Sequence, residues 1–301
     1  MKARQIKSNL MLMLTALIWG AAFVAQSVSM DYVGPFTFNA ARFFIGGLVL
    51  IPCMVFLKRW NKGEVQDHND EKKRRKDGVM GGICCGAALF VASGFQQIGV
   101  AGTTVGKAGF ITALYIVIVP ILGIFLKKKV QASVWISVAA ATAGMYLLCM
   151  TGGSLTIGRG DLSVLIGSVC FSFHILIIDH FSPKADGVFL SCVQFFTAGI
   201  LALVPSVLLE HEELSSLMAA WMPILYAGVL SCGVAYTLQV VVQKDTDPVI
   251  ASLILSLESV FSVIAGWLIL GETLSAREMA GCVLVFCAIL LAQLPEGFLK
   301  K

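Results

Sequence analysis

The sequence has few charged residues for its length. Only 13% of its 301 residues are Asp, Glu, Lys or Arg, whereas 57% are hydrophobic, and the mean hydropathy is +0.86. This composition lies far outside that of soluble globular domains. It therefore excludes a soluble enzyme or binding domain, and it indicates a protein with several membrane-spanning segments.

The sequence also lacks the patterns of several common sites. Its nine cysteines contain no CxxC pair and all fall within apolar segments. We interpret them as small buried hydrophobic residues, so that no metal site, disulfide framework or cofactor is expected. The segment AGTTVGKA is close to a phosphate-binding loop, but Ala101 replaces its first Gly and Ala108 its final Ser or Thr. No nucleotide site is therefore predicted.

Ten apolar segments are long enough, or nearly so, to cross a membrane. A helix crossing a hydrocarbon core of ~30 Å needs roughly 20 mostly apolar residues. The segments are 10–28, 35–57, 78–98, 103–126, 131–150, 162–180, 188–209, 217–242, 248–270 and 275–294. A signal peptide is the alternative for the first of them, but nine further segments of similar length favour an uncleaved first helix.

The distribution of Lys and Arg predicts the orientation. With the N-terminus in the cytoplasm, only Arg159 and Arg277 of the 22 Lys and Arg residues fall on the outer side, and Arg42 and Lys107 lie within spans. Because Lys and Arg collect in cytoplasmic loops, we expect both termini to be cytoplasmic. The net charge of +4 is then explained by topology and predicts no nucleic-acid partner. The charged linker 58–77 is predicted to be a solvated inner loop, with contact to anionic lipid headgroups as the alternative.

An internal repeat divides the chain. FFIGGLVLIP, from Phe43, aligns with FTAGILALVP, from Phe196, and LKKKVQA, from Leu126, aligns with LGETLSA, from Leu270. The predicted units are residues 1–150, with helices one to five and the linker 58–77, and residues 151–301, with helices six to ten. Because five spans is an odd number, the second unit enters the membrane from the opposite side. Such an inverted repeat predicts a substrate site between the halves, near the middle of the bilayer.

Short motifs accompany the repeat: Trp19-Gly20, Arg42-Phe43, Pro120, Glu258 and Leu270-Gly271-Glu272. Together they resemble the EamA-like family of the drug/metabolite transporter superfamily, over nearly the whole chain. The resemblance implies an all-α integral membrane protein with ten transmembrane helices in two inverted five-helix repeats. It also implies a secondary transporter in the plasma membrane, usually an exporter of small metabolites such as amino acids. Lys127-Lys128-Lys129 departs from the family pattern, which has a Gly-Glu at this point.

Four ionisable residues fall within predicted spans: Arg42, Lys107, His174 and Glu258. Burying a charge in the bilayer costs roughly 2.5 kcal/mol or more, so such residues are functional candidates. Glu258 lies about 15 Å from the inner end of its helix. Lys107 lies on the equivalent helix of the other repeat, and we expect the two to face one cavity as a pair that separates to bind a zwitterion. The alternative is a structural network of Glu258 with Ser256, Ser259 or a neighbouring helix.

Other polar and aromatic residues within the spans are candidates to line the cavity. Arg42 is expected either to bind substrate or to help close the outer side. His174 is a candidate as well, although a lone buried His is more often a satisfied core residue. The remaining candidates supply rings and amides, with interhelical hydrogen bonding as the alternative role; they are Trp19, Tyr115, Tyr236, Gln194 and Gln239.

These features predict a secondary active transporter of small polar or zwitterionic metabolites, working outward by alternating access. Glu258 is the predicted proton-exchange site, and the expected partners are a small-molecule substrate, the lipid bilayer and protons. One alternative is an exporter of organic cations in which Glu258 is the counter-charge. Two others are a non-transporting receptor and a membrane enzyme, for which His211, Glu212 and Glu213 of an outer loop are a weak basis. We expect no enzymatic activity.

Overall fold

The computed structural model describes residues 2–60, 68–126, 132–149, 158–271 and 275–292. These residues form α-helices and two π-helical segments, Ser206–Glu210 and Ala227–Tyr236, with no strand among them. The α-helices are α1 (Lys2–Ser29), α2 (Pro35–Trp60), α3 (His68–Val100), α4 (Val105–Thr112), α5 (Tyr115–Phe125), α6 (Ala132–Cys149), α7 (Arg159–Phe181), α8 (Gly187–Pro205), α9 (Leu214–Ala219), α10 (Trp221–Tyr226), α11 (Thr237–Gln243), α12 (Pro248–Leu255), α13 (Glu258–Leu270) and α14 (Ala276–Ala292). The predicted all-α class is confirmed.

Eight helical stretches in the described part of the chain are long and apolar enough to cross a membrane. They are Gln5–Ser29, Pro35–Phe56, Glu71–Val100, Val105–Phe125, Arg159–Phe181, Gly187–Glu210, Trp221–Gln243 and Pro248–Leu270. Each corresponds to one predicted segment. The predicted segments 131–150 and 275–294 correspond to α6 and α14, whose apolar stretches Val134–Gly144 and Met279–Ala288 are shorter. The fifth and tenth spans therefore remain predictions.

The predicted inner loop 58–77 is corrected by the structure. The first three residues of this segment are the end of α2, and its last ten residues are the beginning of α3. Both helices therefore continue beyond their apolar stretches into the charged linker. The consecutive cations Lys72 to Lys76 are exposed on α3, as a solvated segment requires. Residues 61–67, the triplet Lys127 to Lys129, Glu272 and the predicted unit boundary at 150/151 lie outside the described residues.

Two spans are broken in the middle. The helix of the fourth span stops at Thr112 and resumes at Tyr115, and that of the ninth span stops at Leu255 and resumes at Glu258. At both breaks the backbone forms tighter bonds to the third preceding residue, including Ile116 N to Ala113 O and Ser259 N to Ser256 O. In the ninth span four serine hydroxyls donate to carbonyls three residues earlier, which competes with regular helix bonding. The breaks thus place Tyr115 and Glu258 at corresponding points of their spans.

Most of the extensive helix contacts join the first half of the chain (residues 2–149) to the second half (residues 158–292). Helix α3 of the first half packs against α7 and α8 of the second half. In the same way, the span Trp221–Gln243 of the second half packs against α1 and α2 of the first half. Likewise α4 contacts α7, and α13 contacts α1. The contacts α2 with α8, α4 with α13 and α6 with α14 join counterpart spans. Each of these contacts therefore has a counterpart with the halves exchanged.

The bundle is apolar outside and partly polar inside, as a bilayer requires. Large hydrophobic side chains are exposed on the outer surfaces of the spans, among them Leu48, Phe56, Leu208, Leu209 and Leu268. Polar side chains are buried between the helices, including Gln97, Gln194, Ser172 and Ser191. The described cysteines are unpaired thiols, but Cys53 and Cys287 are exposed on the helix surface, so the prediction that all cysteines are buried is wrong for these two.

Candidate functional site

A cavity lined by residues of both halves lies between the two halves of the bundle. The empty space within its lining, part of which is open to solvent, is about 430 Å³. The cavity is lined by Trp19, Phe23, Gln26, Arg42, Gln96, Thr112, Tyr115, Phe171, His174, Ile175, Ser231, Tyr236, Gln239 and Glu258.

Glu258 is the acidic residue of this lining. It is the first residue of α13, directly after the helix break, and only 3% of its surface is exposed. Tyr115, which begins α5 after the matching break, faces the Glu258 carboxyl group. The approach is not a well-formed hydrogen bond, because the Tyr115 hydroxyl and Glu258 Oε1 both lack a partner of good geometry. An unpartnered carboxylate oxygen is thus directed into the cavity.

The serine network proposed as an alternative for Glu258 is not observed. Ser256 donates its hydroxyl to Leu253 O at 2.7 Å, and Ser259 donates to Ser256 O at 2.7 Å. Both hydroxyls are therefore engaged with the backbone of their own span. No hydrogen bond in the described part of the chain joins either serine to the Glu258 side chain.

Arg42 is the basic residue of the lining, and it is 1% exposed. Its guanidinium carbon lies 5.3 Å from the ring centroid of Phe38 and 5.0 Å from that of Phe43. Cation–π contacts of this kind stabilise a desolvated guanidinium. Two of its nitrogens, Nε and Nη2, have no hydrogen-bond partner, so Arg42 and Glu258 line one cavity without forming an ion pair.

An aromatic wall lies beside these charges. The ring centroids of Trp19 and Tyr236 are 4.5 Å apart, and Trp19 Nε1 donates to Ser231 O at 3.4 Å. His174 meets Tyr236 edge-on, with the ring centroids 6.0 Å apart. Nε2 of His174 lies 3.1 Å from Oε1 of Gln194, and this hydrogen bond holds the imidazole in place. Gln194 itself is buried outside the cavity lining.

Lys107 does not share the cavity, so the expected Lys107–Glu258 pair is corrected. Lys107 lies in the first turn of α4, at one end of the bundle, where its Nζ pairs with Asp161 Oδ2 at 2.5 Å. The break that faces Glu258 lies eight residues further along the chain, about 12 Å at the rise of a helix. The equivalence of the two spans was predicted from the repeat, but Tyr115 is the residue opposite Glu258.

The residues of the predicted outer loop that were considered for an enzyme have local structural roles. Glu212 accepts a hydrogen bond from Gly34 N at 3.1 Å. The neighbouring Glu210 accepts from Phe36 N at 2.8 Å and from Thr37 N at 2.6 Å, so it caps the start of α2. His211 takes a left-handed backbone conformation with φ of 48° and ends the π-helical segment. No group of three or more potential metal ligands occurs among the described residues.

The structure thus brings together seven of the nine residues selected from the sequence: Trp19, Arg42, Tyr115, His174, Tyr236, Gln239 and Glu258. Sequence reasoning missed the amides Gln26 and Gln96, and it missed Asp161 as the partner of Lys107. Gln26 and Gln96 were detectable as isolated amides within apolar spans. Asp161 was not, because it stands just before the segment predicted to begin at 162.

Comparison with known proteins identifies the family. The model of the EamA-like transporter family matches residues 6–150 and again residues 158–294. An uncharacterized transporter of Archaeoglobus fulgidus is 31% identical over 292 residues, which cover 97% of this chain and 87% of that protein. The uncharacterized transporter YoaV of Bacillus subtilis is 24% identical over 296 residues, which cover 95% of this chain and 96% of that protein.

Two further matches agree with this result. The uncharacterized inner membrane transporter YedA of Escherichia coli is 22% identical over 91% of this chain and 87% of that protein. A solved crystal structure has the same fold, with a TM-score of 0.74 and 19% identity, and the match covers 96% of this chain and 98% of that one. Membership in a transporter family argues against the membrane-enzyme alternative. The chain belongs to the EamA-like transporter family and is a multi-pass membrane protein.

Proposed function

We propose that the protein is a secondary active transporter that exports small polar or zwitterionic metabolites, such as amino acids, by alternating access. The observation that carries the proposal is the cavity between the halves, in whose lining Arg42 and Glu258 are buried without an ion pair between them. Buried charges without partners are costly, and they persist where function requires them. A transporter needs such groups because they must release one ligand and accept another.

The proposed architecture is ten membrane helices in two inverted repeats, residues 1–150 and 151–301. Three observations support it. The family model matches the chain twice, once in each half. The fourth and ninth spans are broken at corresponding points, and discontinuous helices commonly form the central site of transporters with inverted repeats. The extensive helix contacts have counterparts with the halves exchanged.

Proton exchange at Glu258 is the proposed source of energy. In its charged form the carboxylate can hold an ammonium group of the substrate, and in its protonated form it cannot. Substrate and proton therefore compete for the same oxygen atoms, so each leaves as the other binds. If the cavity opens alternately to the two sides, this competition couples outward movement of substrate to inward movement of protons.

The proposal is tested with the purified protein reconstituted into sealed vesicles. Uptake of pooled radiolabelled amino acids is measured with and without an imposed pH gradient, and exchange is measured at equal pH. We expect the gradient to accelerate wild-type uptake, and Glu258→Gln to lose this acceleration. Glu71→Gln is the matched control, because Glu71 is exposed at the start of α3. Wild-type uptake that ignores the gradient, or a fully driven Glu258→Gln variant, would contradict proton exchange at Glu258.

A second candidate is the export of organic cations, with Glu258 as the counter-charge. The observation that favours it is the aromatic pair Trp19 and Tyr236, since ring faces attract desolvated cations. Against it stands Arg42, which places a fixed positive charge in the same cavity. The same vesicles therefore receive a second set of probes, quaternary ammonium compounds without a carboxylate. Gradient-driven uptake of these probes, with none of amino acids, would favour this candidate.

A further inference from the structure

The orientation of the unsatisfied donors of Arg42 carries an inference about what binds there. Nε and Nη2, the two nitrogens without partners, form one edge of the guanidinium group. The two N–H groups of such an edge are parallel, and their spacing matches the two oxygens of a carboxylate. The donors that lack partners are therefore the pair that binds a carboxylate in bidentate fashion.

The surroundings of Arg42 keep this edge available. The rings of Phe38 and Phe43 contact the guanidinium and have no acceptor atoms to satisfy its edge. Glu258 is the carboxylate that lines the same cavity, and no ion pair joins the two residues. His174, another polar residue of the lining, is already engaged by Gln194. No acidic side chain described in the structure neutralises the guanidinium edge.

We propose that the Nε–Nη2 edge of Arg42 is the carboxylate subsite of the transport cavity. A substrate places its carboxylate on this edge, and a zwitterion places its ammonium group toward Glu258. This assignment rests on the proposed function, because it takes the cavity to be the transport site. The cationic partner of Glu258 in substrate recognition is then Arg42, where sequence reasoning had chosen Lys107.

The subsite has a consequence for selectivity. A ligand that replaces the carboxylate by a carboxamide presents one acceptor and one donor to two buried donors. One N–H of Arg42 would then stay unsatisfied, and its remaining charge would stay uncompensated. Leaving a buried charged group without its partner weakens binding markedly. We therefore expect amides to bind at least about tenfold more weakly than the matching acids.

Binding to the purified full-length protein in detergent tests the subsite without transport. The unfolding temperature is followed during titration with each proteinogenic amino acid, with the carboxamide of every amino acid that stabilises, and with short monocarboxylates. We expect at least one acid to stabilise wild type saturably, and its carboxamide to need at least about ten times the concentration. A wild type that responds to no carboxylate, or equally to acid and amide, overturns the subsite.

Variants then identify the residue. Arg42→Lys keeps the positive charge but removes the two-donor edge, and Arg42→Gln removes the charge. We expect Arg42→Lys to weaken the preference for acid over amide and Arg42→Gln to abolish it. Lys107→Gln is the matched control, because this cation lies outside the cavity. An Arg42→Lys variant with wild-type acid affinity overturns the proposal; the acid and amide comparison on wild type tests it even where Arg42 variants fail to fold.

The outcome is separable from that of the proposed function. Gradient-driven transport of a probe without a carboxylate, combined with no acid preference, would retain the transporter and refute the Arg42 subsite. Acid-selective binding that depends on Arg42, combined with no transport of any probe, would retain the Arg42 subsite and refute the proposed transport function.

Discussion

Asp161 joins the two halves of the chain at one end of the bundle, which makes it the most direct place to test alternating access. Its Oδ1 accepts from Thr103 Oγ1 at 2.7 Å, and its Oδ2 accepts from Lys107 Nζ at 2.5 Å and from Gly158 N at 2.8 Å. The bonds to Thr103 and Lys107 join the second half of the chain to the first. If the cavity is to open at this end, these two contacts must break.

The structure allows the effect of removing them to be estimated. The hydrogen bonds to Thr103 and Gly158 contribute about 1–1.5 kcal/mol each. The Lys107 side chain is 28% exposed, so its ion pair is discounted for solvent to at most about 1 kcal/mol. Asp161→Ala removes all three, but only the contacts to Thr103 and Lys107 join the halves, so this closed state loses about 2 kcal/mol relative to an open one. Asp161→Asn keeps hydrogen-bonding atoms and loses mainly the charge, about 1 kcal/mol.

Reactivity of a cysteine in the cavity measures this opening. The nine native cysteines are replaced, Ser231→Cys provides the reporter, and a membrane-impermeant thiol reagent is applied from the Asp161 end of the bundle. We expect the labelling rate to increase about tenfold or more with Asp161→Ala and less with Asp161→Asn. Asp186→Ala is the control, because Asp186 accepts its hydrogen bond from Phe189 N at the start of α8, within the second half of the chain. Unchanged labelling, or an equal increase with the control, would refute the reasoning.

Two further predictions concern packing and topology. A Cβ on Gly160 would lie 2.8 Å from the carbonyl oxygens of Gly99 and Gly102, whereas one on Gly158 would meet nothing closer than 3.6 Å. Gly160→Ala should therefore lower the unfolding temperature in detergent and Gly158→Ala should not; equal effects would contradict the close approach of α3 and α7. In cells, Glu213→Cys in a cysteine-free background should react with an impermeant thiol reagent and Lys73→Cys should not, and the reverse pattern would overturn the orientation predicted from Lys and Arg.

The sequence was sufficient to predict eight of the ten proposed spans and most of the cavity lining. Span prediction succeeds because each segment must be apolar over a fixed length, whatever it packs against. The lining residues Glu258 and Arg42 were found because an ionisable group within a span is costly and therefore conspicuous. Trp19 and Tyr236 were selected as rings within spans, and their contact across the halves supplied the geometry that composition lacks.

Residue pairing could not be predicted in the same way. Lys107 was assigned to Glu258 from the equivalence of their spans, but it lies eight residues, about two helical turns, before the residue that faces Glu258. The helix breaks at Thr112/Tyr115 and Leu255/Glu258 determine how deep in the bundle Tyr115 and Glu258 lie. The two residues within each break include no Pro or Gly, so the sequence does not signal the breaks. Asp161, the true partner, is adjacent to its predicted span, where carboxylates are common and uninformative.

The charges of the cavity determine how its transport would respond to voltage. With Glu258 charged and a zwitterion bound, Arg42, Glu258 and the ligand sum to zero. With Glu258 protonated and the cavity returning empty, Arg42 leaves one positive charge, so each cycle moves one charge in the direction of the proton. A membrane potential would then add about 2.3 kcal/mol per 100 mV to zwitterion export. With an organic cation bound, Arg42, the charged Glu258 and the ligand sum to plus one, which is also the charge of the empty cavity with Glu258 protonated. The exchange of an organic cation for a proton would therefore be electroneutral. Imposing a potential on the vesicles at equal pH therefore separates the two substrate classes: acceleration of amino acid transport supports the zwitterion assignment, and transport that is insensitive to voltage contradicts it.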